Sequence, residues 1–318
     1  MGSILPEQRI TEWILAQRPA RTIQDPFTPH GFFLEEERSA AGRIVESGTI
    51  LLTNKDCPWH CVMCDLWKTT LTQTVPRGAI GRQIDYALNE FKCRPEHIKL
   101  YNGGSFFDPA AIPPGDYREI SQRIAFARHV IVESHPRLIG KRTLEFRDLL
   151  NGSLEVGMGL ETVHPEILPR LNKNFTLSQF SESTGVLRRE AIGVRAFVLV
   201  KTPWMSETEG LEWAVKSAEF AFECGATVVS LIPTRGGNGA MERLKEAGEF
   251  ARPRLSTLEK ALKYALKLGK GRVFADTWNL GLFSECHCCL EARNRRLHTI
   301  NLSQQMLPPI ACATCGAL

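Results

Sequence analysis

The sequence predicts an α/β fold in which a partial (β/α) barrel is followed by a small cysteine-rich C-terminal extension. From about residue 49 onward, short β-branched or apolar runs alternate with longer stretches of helical period, as in βα units around a parallel sheet. The units repeat roughly every 33 residues, which suits a barrel unit, but they stop short of the eight of a complete barrel. Eight of the ten cysteines also fall in three tight clusters.

Seven strands and six helices are predicted from this alternation. The strand candidates are Thr49 to Thr53, Ile98 to Asn102, His129 to Ser134, Leu154 to Gly159, Val194 to Lys201, Thr227 to Ile232 and Arg272 to Asp276. The helical stretches are Arg82 to Phe91, Tyr117 to Ala127, Arg142 to Leu150, Leu177 to Arg189, Glu207 to Cys224 and Leu255 to Leu268. Ligands of such sheets collect where the strands end, so the residues after each strand are the first candidates for function.

The alternation of strands and helices, together with the cysteine clusters, divides the chain into three parts. Residues 1–48 are predicted to form an N-terminal accessory helix and loop, residues 49–280 the partial barrel, and residues 281–318 a cysteine-rich metal-binding extension. Within the first part, the apolar spacing of Ile10, Trp13 and Ile14 indicates the helix. The charged run from Glu35 to Arg38 is interpreted as a solvated face.

Composition excludes several classes of protein. A formal net charge of +4 over 318 residues is too small to indicate a nucleic-acid-binding protein from charge alone. No apolar run approaches the roughly 20 residues of a membrane span, and the start MGSILPEQR lacks the features of a signal peptide. We therefore expect a cytoplasmic protein without membrane partners. In a reducing compartment, clustered cysteines indicate metal binding rather than disulfides.

The first cysteine cluster follows the first predicted strand, with Cys57, Cys61 and Cys64 in the spacing CxxxCxxC. A cubic iron–sulfur cluster takes one thiolate per iron, so a short loop can bind three irons and leave the fourth for another ligand. The alternative is a zinc site completed by His60 or by a distant residue. The position of the loop after the first strand of a βα array favours the iron–sulfur cluster.

This loop and its position resemble those of the radical S-adenosylmethionine (SAM) superfamily, and the resemblance extends over roughly residues 45–280. It implies a [4Fe-4S] cluster held by Cys57, Cys61 and Cys64, with the open iron chelated by SAM. It further implies an electron donor such as a ferredoxin or flavodoxin, and cleavage of SAM to methionine and a 5′-deoxyadenosyl radical. The radical then abstracts a hydrogen atom from the substrate, while the barrel orients the reactants and excludes water.

The resemblance also suggests which residues contact SAM. Met63 stands where the superfamily usually has an aromatic residue beside the adenine, and Gly103, Gly104 and Ser105 stand where it has a Gly-Gly-Glu segment. Glu133, Glu161 and Lys201 are added because they end predicted strands, where ligands collect. Seven residues are thus candidates for SAM binding: Met63, Gly103, Gly104, Ser105, Glu133, Glu161 and Lys201.

Structural roles compete with these assignments. The glycines can simply form a turn, the two glutamates can pair with nearby cations, and Lys201 can be a surface residue. Met63 can contact adenine through its side chain or its backbone.

A glycine-rich segment, TRGGNGA, follows the sixth predicted strand. It can cradle a phosphate with backbone N–H groups, but it lacks the Walker pattern, and a flexible lid is the favoured interpretation. The strings ESHP, GLET, NKNFT and KTP, together with Met63, are most similar to the elongator-type branch that includes the radical subunit of archaeosine synthase.

The second cysteine region contains two CxxC pairs, Cys286 with Cys289 and Cys312 with Cys315. Such pairs predict a four-cysteine site for zinc, the first choice, or for an auxiliary iron–sulfur cluster. His287 and Cys288 lie between the ligands and are alternatives to them. Arginines at 293, 295 and 296 and His298 form a basic strip that is read as a solvated face, with contact to an RNA phosphate backbone as the alternative.

The sequence therefore supports two functions of different classes. The first is a radical SAM enzyme acting on an unidentified substrate, either a modified RNA base or a small molecule. The second is a non-catalytic zinc-binding protein in which both cysteine regions are structural. No residue is assigned as a general base, because hydrogen abstraction needs only the radical.

Overall fold

The structure, a computed structural model, describes residues 3–316 and contains one eight-stranded sheet. Neighbouring strands in the sheet follow one another in chain order. The first two strands are antiparallel, and each later strand is parallel to the one before it. The strands are Gly31–Arg38 (β1), Ile44–Leu52 (β2), His97–Asn102 (β3), His129–Glu133 (β4), Ser153–Glu161 (β5), Gly193–Val200 (β6), Val228–Pro233 (β7) and Arg272–Ala275 (β8).

Helices connect the parallel strands and pack against the sheet, and one further helix precedes β1 and another follows β8. They are Ile10–Gln17 (α1), Ala79–Glu90 (α2), Tyr117–Arg123 (α3), Lys141–Leu149 (α4), Ile167–Arg170 (α5), Leu177–Arg189 (α6), Glu207–Cys224 (α7), Ala240–Glu246 (α8), Leu255–Lys267 (α9) and Leu290–Ser303 (α10). None of the helices in this described part of the chain has the length and apolar character that a membrane span needs.

Local sequence signals explain the best-defined helices. Helix α7 begins with a capping box, in which Ser206 accepts a hydrogen bond from the backbone of Glu209, and ends at Gly225 with φ of 105°. Helix α6 begins with the same arrangement at Thr176 and Gln179. These signals are local, so both helices have the bounds that the sequence predicts.

The sheet is curled, as contacts between the side chains of distant strands show. In a flat sheet β1 and β6 would lie about 24 Å apart. Arg195 of β6 nevertheless donates a hydrogen bond of 2.7 Å to Glu37 of β1, and another of 2.6 Å to Glu155 of β5. Lys99 of β3 also forms an ion pair with Glu37, at 2.5 Å. The curled sheet is the predicted partial barrel, and Glu37, Lys99, Glu155 and Arg195 form a buried charge network in its interior.

This network corrects the interpretation of the charged N-terminal run. The segment is strand β1 rather than loop, and alternate side chains of a strand face opposite sides of the sheet. Glu36 is exposed, whereas Glu37 is buried against Lys99 and Arg195. The solvated-face interpretation is therefore wrong for Glu37. Part of the predicted accessory segment thus belongs to the barrel sheet, and the three-part division stays a prediction.

All seven predicted strands are present, and their bounds differ from the prediction by a few residues. The structure adds β1, α5, α8 and α10, which the alternation did not predict. Strands β1 and β8 are the two edges of the sheet, and they are not hydrogen-bonded to each other as strands. We call the gap between them the seam.

Candidate functional site

The cysteine loop, residues 53–65, follows β2 at the edge where the parallel strands end. Cys61 is buried, and Cys57 and Cys64 are partly buried. Burial raises the pKa of Cys57 to about 11 and that of Cys64 to about 12, and it raises the pKa of Cys61 well above its usual value. Such thiols lose their protons when a cation binds them. Three of them in one loop are a donor set that suits both an iron–sulfur cluster and zinc.

Residues from distant parts of the chain hold this loop in place. The side-chain amide of Asn238 donates hydrogen bonds to the carbonyls of Val62 at 2.7 Å and Cys64 at 3.0 Å. Its carbonyl oxygen accepts a hydrogen bond of 2.8 Å from the backbone of Met241, so the buried amide is fully satisfied. Asn172 similarly donates to the carbonyl of His60 at 2.8 Å.

Asn238 lies in the glycine-rich segment after β7, which changes the interpretation of that segment. The sequence suggests phosphate binding or a flexible lid for this segment, and neither role accounts for Asn238. The side chain is only 2% exposed and joins the segment to the backbone beside Cys64. The segment therefore supports the cysteine loop.

The turn after β3 lies directly against the cysteine loop. A Cβ atom at Gly104 would stand 3.2 Å from the Cβ of Cys57, and one at Gly103 would stand 2.5 Å from the Thr70 side chain. At Gly103 a side chain has no room, and at Gly104 both the short distance and a φ of 153° favour glycine. The Ser105 hydroxyl is buried and lies 2.9 Å from the hydroxyl of Ser134 after β4.

Both predicted glutamates are near a residue that the sequence analysis did not single out, Lys173. Its ammonium group forms an ion pair with Glu161, and the two side chains are only 14% and 9% exposed. Burial alone would lower the pKa of Lys173, but the Glu161 carboxylate, together with Cys61 and Cys64, outweighs burial and raises it, so the lysine stays charged. Burial raises the pKa of Glu133 to about 8, although the nearby Lys173 acts against this shift.

Lys173 also influences the pKa values of Cys57 and Cys61, so its positive charge reaches the cysteine loop. The backbone carbonyl of Lys173 contacts the His135 ring at 2.8 Å, and that ring stacks on Trp59 with 3.8 Å between centroids. The only sequence signal for Lys173 was its place in the string NKNFT. Its partners could not be inferred from that string.

Lys201 and Met63 have other neighbours. Lys201 is buried and donates a hydrogen bond of 2.6 Å to Glu207, so its charge is paired within the protein. Met63 packs against a small apolar cluster that contains Ile14 and Met241. The structure thus brings Gly103, Gly104, Glu133 and Glu161 towards the cysteine loop, while the SAM-binding roles of all seven candidates stay predictions.

The second cysteine region forms a compact group. The sulfur atoms of Cys286, Cys289, Cys312 and Cys315, here called the C-terminal cysteine group, all lie within 4.8 Å of one another. Backbone N–H groups of Cys315 and Thr314 lower the pKa of Cys312 to about 6. This group can bind a metal, and the exposed Cys288 lies outside it.

The basic strip between the two CxxC pairs is largely engaged within the protein. Arg293 and Arg296 are 8% and 7% exposed, and both form ion pairs with Glu259, at 2.7 and 3.3 Å. For these two arginines the solvated-face interpretation is wrong, and their charges are not available for a phosphate backbone. Arg295 is exposed and pairs with Glu291 one turn away.

Comparison with known proteins identifies the fold. No protein-family model matches the sequence. The crystal structure of methylornithine synthase superposes with a TM-score of 0.53 at 11% identity, over 80% of this chain and 69% of that one. The chain has the radical SAM fold. The predicted fold class is therefore confirmed.

Relatives in sequence agree with the predicted branch of the radical SAM proteins. An uncharacterized protein of Methanocaldococcus jannaschii is 24% identical over 90% of this chain and 84% of its own length. Archaeosine synthase subunit beta of Thermococcus kodakarensis is 25% identical over 74% of this chain and 75% of its own. The same subunit of Methanosarcina acetivorans is 23% identical over 68% and 66%.

The methyltransferase TsrM of Kitasatospora setae matches at 15% identity with a TM-score of 0.47, over 64% of this chain. This chain spans only 39% of TsrM.

Proposed function

We propose that this chain is a radical SAM enzyme in which Cys57, Cys61 and Cys64 hold a [4Fe-4S] cluster. The observation that carries the proposal is the convergence of three features where the strands end: the cysteine loop, the glycine turn against Cys57, and the buried Glu161–Lys173 pair. When bound, the reduced cluster supplies the electron that cleaves SAM to methionine and a 5′-deoxyadenosyl radical, which abstracts a hydrogen atom from the substrate.

The protein's own residues bind and orient the reactants. Gly104 lets the backbone approach the loop closely, so its polar groups can face the methionine part of SAM. Glu161 and Lys173 present a negative and a positive charge side by side, which suits the amino and carboxylate groups of an amino acid. Glu133, whose pKa of about 8 leaves it largely protonated at neutral pH, can donate a hydrogen bond to a ribose hydroxyl.

The substrate class proposed first is a modified base in RNA. Two relatives are named archaeosine synthase subunit beta, and this supports a nucleoside substrate over other small molecules. A low-potential electron donor of the ferredoxin or flavodoxin type would reduce the cluster. A free small molecule is the second substrate class, and parallel assays with RNA and with free nucleosides separate the two.

Anaerobic reconstitution with iron and sulfide, followed by reduction in the presence of SAM, tests the proposal. We expect 5′-deoxyadenosine from the wild type and none from the triple variant Cys57→Ala, Cys61→Ala, Cys64→Ala. The matched control is Cys93→Ala, Cys224→Ala, Cys288→Ala, which removes three cysteines outside both cysteine groups and should retain iron and activity. Assays are run with and without RNA, because cleavage of SAM can require substrate.

The competing function is a non-catalytic zinc-binding protein. It predicts zinc without iron at Cys57, Cys61 and Cys64, no brown colour after reconstitution, and no 5′-deoxyadenosine with any substrate. That set of results would overturn the proposal.

A further inference from the structure

The C-terminal cysteine group joins two separate parts of the chain. Cys286 and Cys289 precede helix α10, and Cys312 and Cys315 lie near the end of the described residues. Each sulfur atom of the first pair lies close to a sulfur atom of the second pair: the sulfur of Cys286 is 3.9 Å from that of Cys312, and the sulfur of Cys289 is 3.9 Å from that of Cys315. A metal bound here would close a loop that contains the whole of α10.

The spacing of the sulfurs indicates the kind of metal site. Four thiolates placed tetrahedrally around one zinc ion, with Zn–S bonds of about 2.3 Å, lie about 3.8 Å from one another. A cubic iron–sulfur cluster instead places its four thiolates on four different irons, which separates them further. Distances of 3.9 Å, with all four sulfurs within 4.8 Å, therefore match a single ion.

Helix α10 covers the free edge of β8. The amide of Gln304, just after the helix, accepts a hydrogen bond from the backbone N–H of Val273 at 2.7 Å and donates one to its carbonyl at 3.0 Å. Asn301 makes the same pair of hydrogen bonds to Ala275, at 2.9 and 2.8 Å. The two amides thus bind the backbone groups that a neighbouring strand would otherwise bind, and an exposed strand edge is a site for unwanted pairing.

The same helix and β8 also contact β1 across the seam. Arg38 of β1 donates a hydrogen bond of 3.0 Å to the carbonyl of Leu302 in α10, and Arg272 of β8 donates one of 2.7 Å to the carbonyl of Arg38. After α10 the chain turns back along it, where Arg296 donates hydrogen bonds to the carbonyls of Leu307 and Pro308 at 2.7 and 2.6 Å. This return brings Cys312 and Cys315 to Cys286 and Cys289.

We propose that the C-terminal cysteine group binds one zinc ion, and that this ion clamps α10 over the seam by fixing the chain on both sides of the helix. The site is structural, because all four ligands come from the protein and no position is left open for substrate. It requires no cluster at Cys57, Cys61 and Cys64, so it is independent of the proposed enzymatic function.

The test uses the full chain, purified without added metal, and measures zinc and iron per chain. We expect one zinc in the wild type and loss of at least nine-tenths of it in Cys312→Ser, Cys315→Ser. Zinc should be retained in Cys288→Ser, the matched control, whose thiol is exposed and outside the group. X-ray absorption at the zinc edge of the wild type should show four sulfur ligands at about 2.3 Å.

Hydrogen exchange tests the clamp separately from metal content. The backbone N–H groups of Val273 and Ala275, protected by Gln304 and Asn301, should exchange at least tenfold faster in Cys312→Ser, Cys315→Ser than in Cys288→Ser. Unchanged exchange in a zinc-free variant would overturn the clamp, and a variant too unstable to purify is replaced by zinc removal from the wild type with a chelator.

An iron–sulfur absorption band that Cys312→Ser, Cys315→Ser abolishes would overturn the zinc assignment. Failure of the enzymatic proposal gives a different result. Cys57, Cys61 and Cys64 would then bind no iron or the protein would form no 5′-deoxyadenosine, while the zinc bound by the C-terminal cysteine group would be unchanged.

Discussion

At the scale of single residues, Lys173 carries the positive charge of the candidate site. Its ammonium group pairs with Glu161, lies near Glu133 and reaches the thiols of the cysteine loop. A buried charge is stable only while its partner is present, so removing one member of such a pair costs about 3 to 5 kcal/mol. The pair therefore links the stability of the barrel to the proposed site at the ends of its strands.

A double-mutant cycle measures this link. We expect Lys173→Met and Glu161→Gln each to lower the free energy of unfolding by about 3 kcal/mol, because each leaves the other charge buried and unpaired. The double variant should lose far less than the sum of the two losses. Anaerobic urea unfolding gives the values, and Lys216→Met, in an exposed pair with Glu212, should cost about 0.5 kcal/mol or less. Additive losses in the double variant would show that the two charges are not coupled.

At the scale of secondary-structure elements, the sequence predicts what local periodicity determines. Helices α6 and α7 have the predicted bounds because their capping boxes and apolar faces are encoded within each segment. Strand β1 was not predicted, because its inward-facing Glu37 looks like a surface residue until Lys99 and Arg195 are known to face it. Partners so distant in sequence have no signature in a local pattern.

The residues of the candidate site likewise fall into those that the sequence predicts and those that it does not. The cysteines and the glycine turn were found because spacing and strand order are visible in the sequence. Asn238 was missed because its hydrogen-bond partner Cys64 lies 174 residues away. The sequence does not reveal the burial of Arg293 and Arg296 for a similar reason, since their partner Glu259 belongs to another helix.

The segment after β7 gives a prediction at this scale. Asn238→Asp keeps the shape of the side chain but places a carboxylate oxygen against the carbonyls of Val62 and Cys64, so both hydrogen bonds are lost. We expect the reconstituted variant to retain roughly half of its iron or less after a fixed exposure to a chelator, because each lost buried hydrogen bond costs about 1 kcal/mol or more.

The matched control is Asn301→Asp, which disrupts an equivalent pair of backbone hydrogen bonds at β8, remote in sequence from the cysteine loop. It should be less stable than the wild type but keep its iron. Equal iron retention in Asn238→Asp and the wild type would mean that the cysteine loop holds its shape without Asn238.

At the scale of the whole molecule, the buried charge network joins the edge strand β1 to β3, β5 and β6. Burial alone would raise the pKa of Glu155, but Arg195, His129 and Arg272 together outweigh burial and lower it to about 2. Arg195 and Lys99 likewise outweigh burial at Glu37 and hold the pKa of that carboxyl well below its ordinary value of 4.5. The curled shape of the barrel therefore depends on carboxylates that remain charged at neutral pH.

Carboxyl groups with lowered pKa values stabilise the folded state above their unfolded pKa, and this contribution is lost as the pH falls through the folded pKa. The free energy of unfolding should thus decrease as the pH falls from about 4.5 towards 2.

At pH 7 we expect Glu37→Gln to lower the free energy of unfolding by about 3 kcal/mol, because Lys99 and Arg195 lose a buried counter-charge. The difference from the wild type should shrink as the pH falls below 4.5, because Glu37 of the unfolded wild-type chain then takes up a proton that the folded chain does not. Urea unfolding between pH 3 and pH 7 measures it, and Glu36→Gln, one residue away on the exposed face of β1, should follow the wild-type curve throughout. A constant difference between Glu37→Gln and the wild type across this range would mean that packing, and not charge, accounts for the loss.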